Sequence, residues 1–538
     1  MLQRFLAGVF FFLIVISIVQ CGRRGGVLTG GPKDEEPPVL IKAEPENLTI
    51  NFKGNRIRLT FDEYIKLKDL QDQLIVSPPL KYIPEITPQG GVQKYVEIKI
   101  KDTLLPNTTY TLNFGESIQD NNEGNPIPFL TYVFSTGDYI DSLEVFGVVK
   151  NAFKKETDEF VSVMLYEIDT AYTDSTIYKK PPNYITNTLD STVIFKLSNL
   201  KEGKYAMFAV KDEAKNNIFD QNSDKIAFLK DTITLPTDST YLLTLFKEIP
   251  SYSASVPSFA AKNKIIFGYY GGEEDIEIKP LTTIPDTIKT KVLRDKDKDS
   301  LNFWFTPYEV DSLIFTITNK SKKVVDTFTV KSRKVGIDSL KIEPNQNGSL
   351  DYNTSYFLAA NTPIEAIDTT KMKMVVKDSL PHEFKTVFDS VANKIDFDFE
   401  TEPNENYRLD LLPGAITDFF GQTNDTINYR LSAKNLEDLG DLEVNIEGKF
   451  EYPILVQLTD DKGKTKLEIF AEEKQIFEFN KIEPATYLIR VVQDTNENGE
   501  WDTGDYLKGI QPEKVSYYPK EIKMRANWIE NITFTLAN

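Results

Sequence analysis

In "NRIRLTF" the apolar residues Ile57, Leu59 and Phe61 fall at alternate positions. The same alternation runs through "KYVEIKIK" (Val96, Ile98, Ile100) and "DLEVNIEG" (Leu442, Val444, Ile446). Successive side chains of a strand point to opposite faces, so each stretch reads as a strand with one buried face. Phe, Trp and Tyr make up 12% of the chain, which suits pleated, half-buried surfaces. No long stretch holds a 3.6-residue period, and only "YIKLKDLQDQL" reads as a short helix. Short strands broken by Asn, Asp, Gly and Pro turns predict an all-β chain of sandwich domains.

At 538 residues the chain exceeds what one core serves, since single cores stop growing near about 250–300 residues. Two internal repeats divide it. "VIFKLSNLKEGKYAMFAVKDEAKNNIFD" recurs without a gap, 282 residues later, as "QIFEFNKIEPATYLIRVVQDTNENGEWD". Phe195 matches Phe477, Tyr205 matches Tyr487, Asp212 matches Asp494 and Phe219 matches Trp501. This predicts two copies of one β module, at 139–247 and 438–538. A weaker pairing sets "NTTYTLNFGESIQDNNEGNP" beside "NENYRLDLLPGAITDFFGQTND", with Tyr110 on Tyr407 and Asp120 on Asp418.

The pieces "PPVLIKAEPEN", "IRLTFDEYI", "LIVSPPL", "LLPNTTYTLNF" and "YVFSTGD" resemble the bacterial Ig-like domains first described in surface-layer proteins. The resemblance covers 37–138, and a divergent second copy is expected at 340–437. Between them, 248–339 is a β-rich module that resembles no assignable family.

The segment "DTNENGEWDTGD" carries the densest chemistry. Asp494, Asn496 and Asn498 stand at positions one, three and five of a calcium-loop template, and Gly499 stands at six, where the turn needs positive φ. Glu500 offers its carbonyl at seven, Asp502 stands at nine and the short Asp505 at twelve. Hard oxygens at this spacing are what Ca²⁺ takes. The alternative is an Asx turn that binds nothing. The preceding "ATYLIRVV" is strand-like, which argues against a helical EF-hand. The loop resembles the D-x-N-x-N-G turn of exported transthyretin-like modules, a resemblance that implies binding or spacer units and no enzyme. In the first copy, Asp212 to Asp224, Ala214 and Asn217 replace a ligand and the glycine, so that loop reads as a structural relic.

The N-terminus has another character. Arg4 precedes fifteen uncharged residues, Phe5 to Val19, and Cys21 follows as the single cysteine. That run is short for a membrane span, which takes about 20 apolar residues, and has the shape of a secretory signal. With Ile18 and Val19 ahead of the cysteine it resembles the lipobox of bacterial lipoproteins. The resemblance implies cleavage after residue 20, acylation of Cys21 and a lipid anchor in the membrane. An uncleaved anchor with an incidental cysteine is the alternative. Residues 21–36, rich in Gly, Pro and charge, read as a flexible tether. Arg23 and Arg24 favour the periplasmic face of an outer membrane.

Net charge is −19, a poor surface for nucleic acid. The single histidine, His382, argues against His-based zinc sites and His-dependent triads and reads as an exposed loop residue. Asp62 and Glu63 read as caps at a strand end. The tripeptide Asp, Ser/Thr, then Ala, Ile, Leu, Val, Met or Thr occurs fifteen times and resembles the O-glycosylation sequon of exported Bacteroidetes proteins, although Asp-Ser and Asp-Thr are also good strand-start turns. Together these features predict a non-enzymatic, membrane-anchored envelope lipoprotein acting as a scaffold or binding arm. Its expected partner is an envelope protein or a glycan. The alternatives are a glycan-binding surface lipoprotein and a subunit of an outer-membrane assembly or export complex.

Overall fold

The computed structural model describes residues 34–188, 193–271, 275–295, 298–377 and 380–536; Cys21 and the expected signal segment lie outside them. Among the described residues the chain is nearly all β, and its strands form five sandwich units. The alternating residues named above are buried: Ile57, Leu59, Val96, Ile98, Val444 and Ile446 are completely excluded from solvent.

The first unit pairs Leu40–Glu44 with Arg56–Leu67, then Gln93–Lys99 and Glu85–Thr87, with Ile118–Asp120 joining Arg56–Leu67. The facing sheet holds Ile75–Ser77, Thr109–Asn113 and Thr131–Ser135. The fourth unit repeats this plan. Ile342–Pro344, Tyr356–Ala360, Lys394–Asp398 and Lys385–Asp389 form one sheet, and Met372–Val375, Asn406–Leu411 and Ile427–Ala433 lie in the other. Tyr110 and Tyr407 do the same work in the two units. Each hydroxyl accepts the backbone N–H five residues earlier, of Leu105 at 2.8 Å and of Glu402 at 2.7 Å. This is the tyrosine-corner device of Ig-like sandwiches, which ties an arch to a core strand. Asp120 and Asp418 also agree: both are buried, and each gathers backbone N–H groups of the turn that follows it.

The second and fifth units share another plan. Leu143–Asn151 sits between antiparallel Ile194–Leu200 and parallel Thr240–Leu245; Gly440–Gly448 sits likewise between Ile476–Ile482 and Ile529–Leu536. The larger sheets correspond strand for strand, built around Gly203–Lys211 and Thr486–Gln493. Tyr205 and Tyr487 donate to the carbonyls four residues back, Lys201 at 3.1 Å and Glu483 at 2.9 Å. The third unit, between residues 253 and 331, is a sandwich whose core stacks Phe267 and Phe303 edge-on against Phe315, each at 5.0 Å.

Three expectations are corrected. The helix read from "YIKLKDLQDQL" is a single turn, Leu70–Gln73, and Tyr64 to Leu67 belong to the preceding strand. Asp62 and Glu63 lie inside Arg56–Leu67, where pairing slips between Thr60 and Ile65; Asp62 accepts the Val39 N–H at 2.8 Å and so ties down the strand before it. His382 is half-buried, edge-on to Phe399 and Tyr407, with Nε2 2.9 Å from the Glu400 carbonyl oxygen. His382 does lie in a loop, as expected, but Phe399 and Tyr407, brought in from later in the unit, half-cover it.

Candidate functional site: the acidic loop and the joint it makes

The expected calcium loop lies at the end of Thr486–Gln493. Asp494 is 1% exposed, and its carboxylate accepts the Asn498 N–H at 3.2 Å and the Gly499 N–H at 2.7 Å. Gly499 has φ +78°, and Glu497 two residues before is also left-handed. The side-chain amides of Asn496 and Asn498 both donate to Asp502 Oδ2, at 2.8 and 2.7 Å. The Glu500 N–H donates to Asn498 Oδ1 at 2.8 Å. Asp494, Asn496, Asn498, Glu500 and Asp502 therefore share one hydrogen-bonded turn. Asp505 stands apart, its carboxylate turned to the Lys508 ammonium at 2.7 Å and the Lys508 N–H at 3.0 Å. Among the described residues no three His, Cys, Asp or Glu side chains gather to hold a metal. For a cation to take the Asn496 and Asn498 oxygens beside the Asp494 and Asp502 carboxylates, both amides would have to reverse.

The residue that closes the turn was not visible in the motif. Glu513 is 7% exposed and bridges the two ends of the loop, taking the Thr495 N–H at 2.6 Å on one oxygen and the Asp502 N–H at 3.0 Å on the other. The second unit does the same with Asp224, which takes the N–H groups of Glu213 at 3.1 Å and Asp220 at 2.8 Å. Glu213 and Asp220 occupy the repeat positions of Thr495 and Asp502. Asn217, at the repeat position of Gly499, also adopts positive φ, +59°. The first loop has thus kept the backbone shape while changing the residues, because Asn tolerates the left-handed region. The bridging carboxylates escaped the repeat comparison because they lie after the ungapped stretch, at different distances from it. Glu513→Ala should remove the charged acceptor of two part-buried N–H groups, and bonds to a charged group contribute about 1.5–3 kcal/mol each. Chemical denaturation would show that loss, with Glu513→Gln, which keeps an acceptor oxygen, falling between it and the wild type.

What the loop touches is the second unit. Gly504 packs so close to Phe246 that a Cβ there would lie 2.6 Å from the ring. Thr503 Oγ1 donates to the Lys247 carbonyl at 2.7 Å, and the Tyr506 N–H to buried Glu248 at 2.5 Å. The Tyr506 ring lies edge-on to Phe208 and Phe228, with centroids at 5.1 and 5.2 Å. Trp501 packs 4.6 Å from Phe153, whose ring is also covered at 3.8 Å by the guanidinium of Arg490. Burial raises the pKa of Glu248, as does nearby Asp505, and the N–H bonds it accepts offset part of this.

Arg490 is 1% exposed and central to the fifth unit's side of the joint. It donates to Gln457 Oε1 at 2.5 Å, Thr465 Oγ1 at 2.9 Å and the Tyr517 hydroxyl at 3.2 Å, and Tyr517 in turn donates to the Phe153 carbonyl at 2.8 Å. The large sheets of both units are consequently buried on both faces. "VMLY" at 163–166 and "ILVQLT" at 454–459 are buried at every position. Uninterrupted burial of this kind belongs to strands covered on two sides, and the unbroken apolar runs were its sequence signal.

Other joints keep the remaining units in place. The Ile185 N–H donates to Ser77 Oγ at 3.1 Å between the first and second, and Trp304 packs 6.1 Å from Phe420 between the third and fourth. Lys434 pairs with Glu483 at 2.5 Å between the fourth and fifth. With the fifth unit seated on the second, units two to five close a circuit.

The fold and its joints define a multi-domain, Ig-like β-sandwich protein. Residues 34–136 match the bacterial Ig-like domain family, which covers the first unit. A comparison with curated proteins finds no match. Among solved structures, domains 1–6 of the surface layer protein SbsC align with 91% of this chain and 68% of their own at 10% identity, with a TM-score of 0.14. The major pilin subunit BcpA of Bacillus cereus aligns with 74% of this chain and 99% of its own at 11% identity and a TM-score of 0.13. A Dscam structure aligns with 92% and 99% at 9% identity and a TM-score of 0.14. Similarity at that level carries no argument about domain arrangement or role.

Proposed function

We propose that the chain is a non-enzymatic, lipid-anchored envelope protein whose sandwich units form a scaffold or binding arm held off the membrane. The observation that carries this reading is a string of β-sandwiches packed joint to joint behind an apolar N-terminal run that ends at the lone Cys21. The buried carboxylates Asp120, Asp224, Asp418, Asp494 and Glu513 each hold backbone N–H groups, which is structural work. Acylation on sulfur and on the freed amine would give the two lipid signals that stable attachment needs. The proposed location is the outer membrane, periplasmic face, with an envelope protein as partner.

Intact mass and fractionation of wild type and Cys21→Ala test the anchor. The expected result is a mature chain starting at Cys21 with added lipid, found in membranes, and a soluble Cys21→Ala form. An unlipidated wild type in the soluble fraction would contradict it. The same spectra report glycosylation: the hydroxyl residues Thr103, Ser142, Thr232, Ser339 and Thr426 are exposed, whereas Ser300 is 5% exposed and should stay unmodified.

Calcium binding by the 494–505 turn enters as a further proposal with a structural condition, reversal of the Asn496 and Asn498 amides. Binding to the native state alone raises stability with ligand concentration. Millimolar Ca²⁺ should then raise the melting temperature, and Asp494→Ala should remove the shift; identical melting in Ca²⁺ and chelator would end the proposal.

A further inference from the structure

We propose that the joint between the second and fifth units is a releasable clasp, with the loop Trp501–Tyr506 as plug and the outer sheet face of the second unit as socket. Opening it would turn a closed circuit into an extended string while every sandwich stays folded.

The joint differs from the inside of a sandwich. Each of the two units has its own complete core between its sheets: Val163, Leu165, Phe195 and Leu243 in one, Val444, Val456, Phe477 and Ile489 in the other. Neither core draws a residue from its partner. Among the described residues no strand pairing crosses the joint. It is made of side chains and loop backbone: the Tyr506 ring among Tyr178, Phe208 and Phe228, the Phe153 ring between Trp501 and Arg490, and hydrogen bonds that include those from Thr503, Tyr506, Gln511 and Tyr517.

The joint also carries groups that a permanent core would avoid. The Tyr178 hydroxyl is buried with no hydrogen-bond partner. Burial at the seam also disfavours the charged forms of Glu248 and Lys150, pushing the pKa of the first up and of the second down. Aromatic burial holds the two units together and these groups oppose it. Joints between domains of one chain are in any case where relative motion is expected. Release would uncover the part of Phe208, Phe228 and Phe246 that Trp501 and Tyr506 cover; Ile177 and Phe219 of the second unit and Ile75 of the first pack into the same cluster.

The test is hydrogen exchange by mass spectrometry on the full chain, with small-angle scattering alongside, for wild type, Gly504→Ala and Tyr506→Ala. Gly504→Ala places a methyl against Phe246, and Tyr506→Ala empties the socket, so the two act on the joint by different routes. Both should raise exchange at 151–154, 246–248 and 499–511 by roughly tenfold or more and increase the radius of gyration. The inner strands Ser162–Glu167 and Ile454–Asp460 should keep wild-type protection. Loss of protection in those strands in step with the joint would overturn the proposal. So would exchange and scattering that both variants leave unchanged.

Discussion

Phe195→Ala should destabilise the second sandwich by about 3–5 kcal/mol, the usual cost of deleting a buried aromatic ring. Phe195 is 1% exposed and its repeat partner Phe477 is fully buried, each on the strand beside the central one of the small sheet. Phe477→Ala should therefore cost a similar amount in the fifth unit. The two need not be equal. Phe195 pairs with Gly147, and a Cβ built there would lie 2.3 Å from the Phe195 ring, whereas Phe477 pairs with Val444. With no side chain on Gly147 to relax into the hole, Phe195→Ala should fall at the upper end of the range. Denaturant unfolding, with exchange to report which unit opens, would check both values. A cost below about 1 kcal/mol at either site would mean that the ring is not a core residue there.

Arg490→Met should have the second large effect, about 3 kcal/mol or more, because hydrogen bonds to a charged donor contribute about 1.5–3 kcal/mol and several are lost together. The substitution keeps apolar length but leaves Gln457, Thr465 and the Tyr517 hydroxyl without their shared donor. It also strips the cation from the face of Phe153, a contact worth about 2 kcal/mol when desolvated. Phe153→Leu removes that contact and the Trp501 ring contact but leaves the Arg490 hydrogen bonds, so it should keep most of the fifth unit's own stability while loosening the joint. Equal losses for the two variants inside the fifth unit would show that Arg490 acts through the joint alone.

The repeats explain how far the sequence could be read. Tyr205 and Tyr487, or Tyr110 and Tyr407, align because a tyrosine corner needs one residue type at one place, and such a constraint survives divergence. Alternation at Ile57, Leu59 and Phe61 was equally legible, because a strand with one wet face must alternate. The joint was not. Its residues, Phe153, Glu248, Arg490 and Tyr506, are far apart in the chain and carry no common spacing. The clue available was negative: "ILVQLT" and "YLIRVV" do not alternate, so both of their faces had to be covered. Arg490 lies inside such a run, and it is buried because Gln457, Thr465 and Tyr517 take its N–H groups and Phe153 covers its face. Asp505 fitted the twelfth loop position by count, yet the turn that follows it, 506–509, brings Lys508 onto its carboxylate.

The central claim is that units two to five close on themselves through the second and fifth. Amine crosslinking with mass spectrometry tests it most directly. Lys150 lies in the second unit and Lys514 in the fifth, and burial together with the charge of Lys514 holds the Lys150 ammonium below its ordinary pKa, which favours the reactive free amine. A short crosslinker applied to the monomer should join Lys150 to Lys514. Recovery of crosslinks within the units but none between Lys150 and Lys514 would contradict the closed circuit.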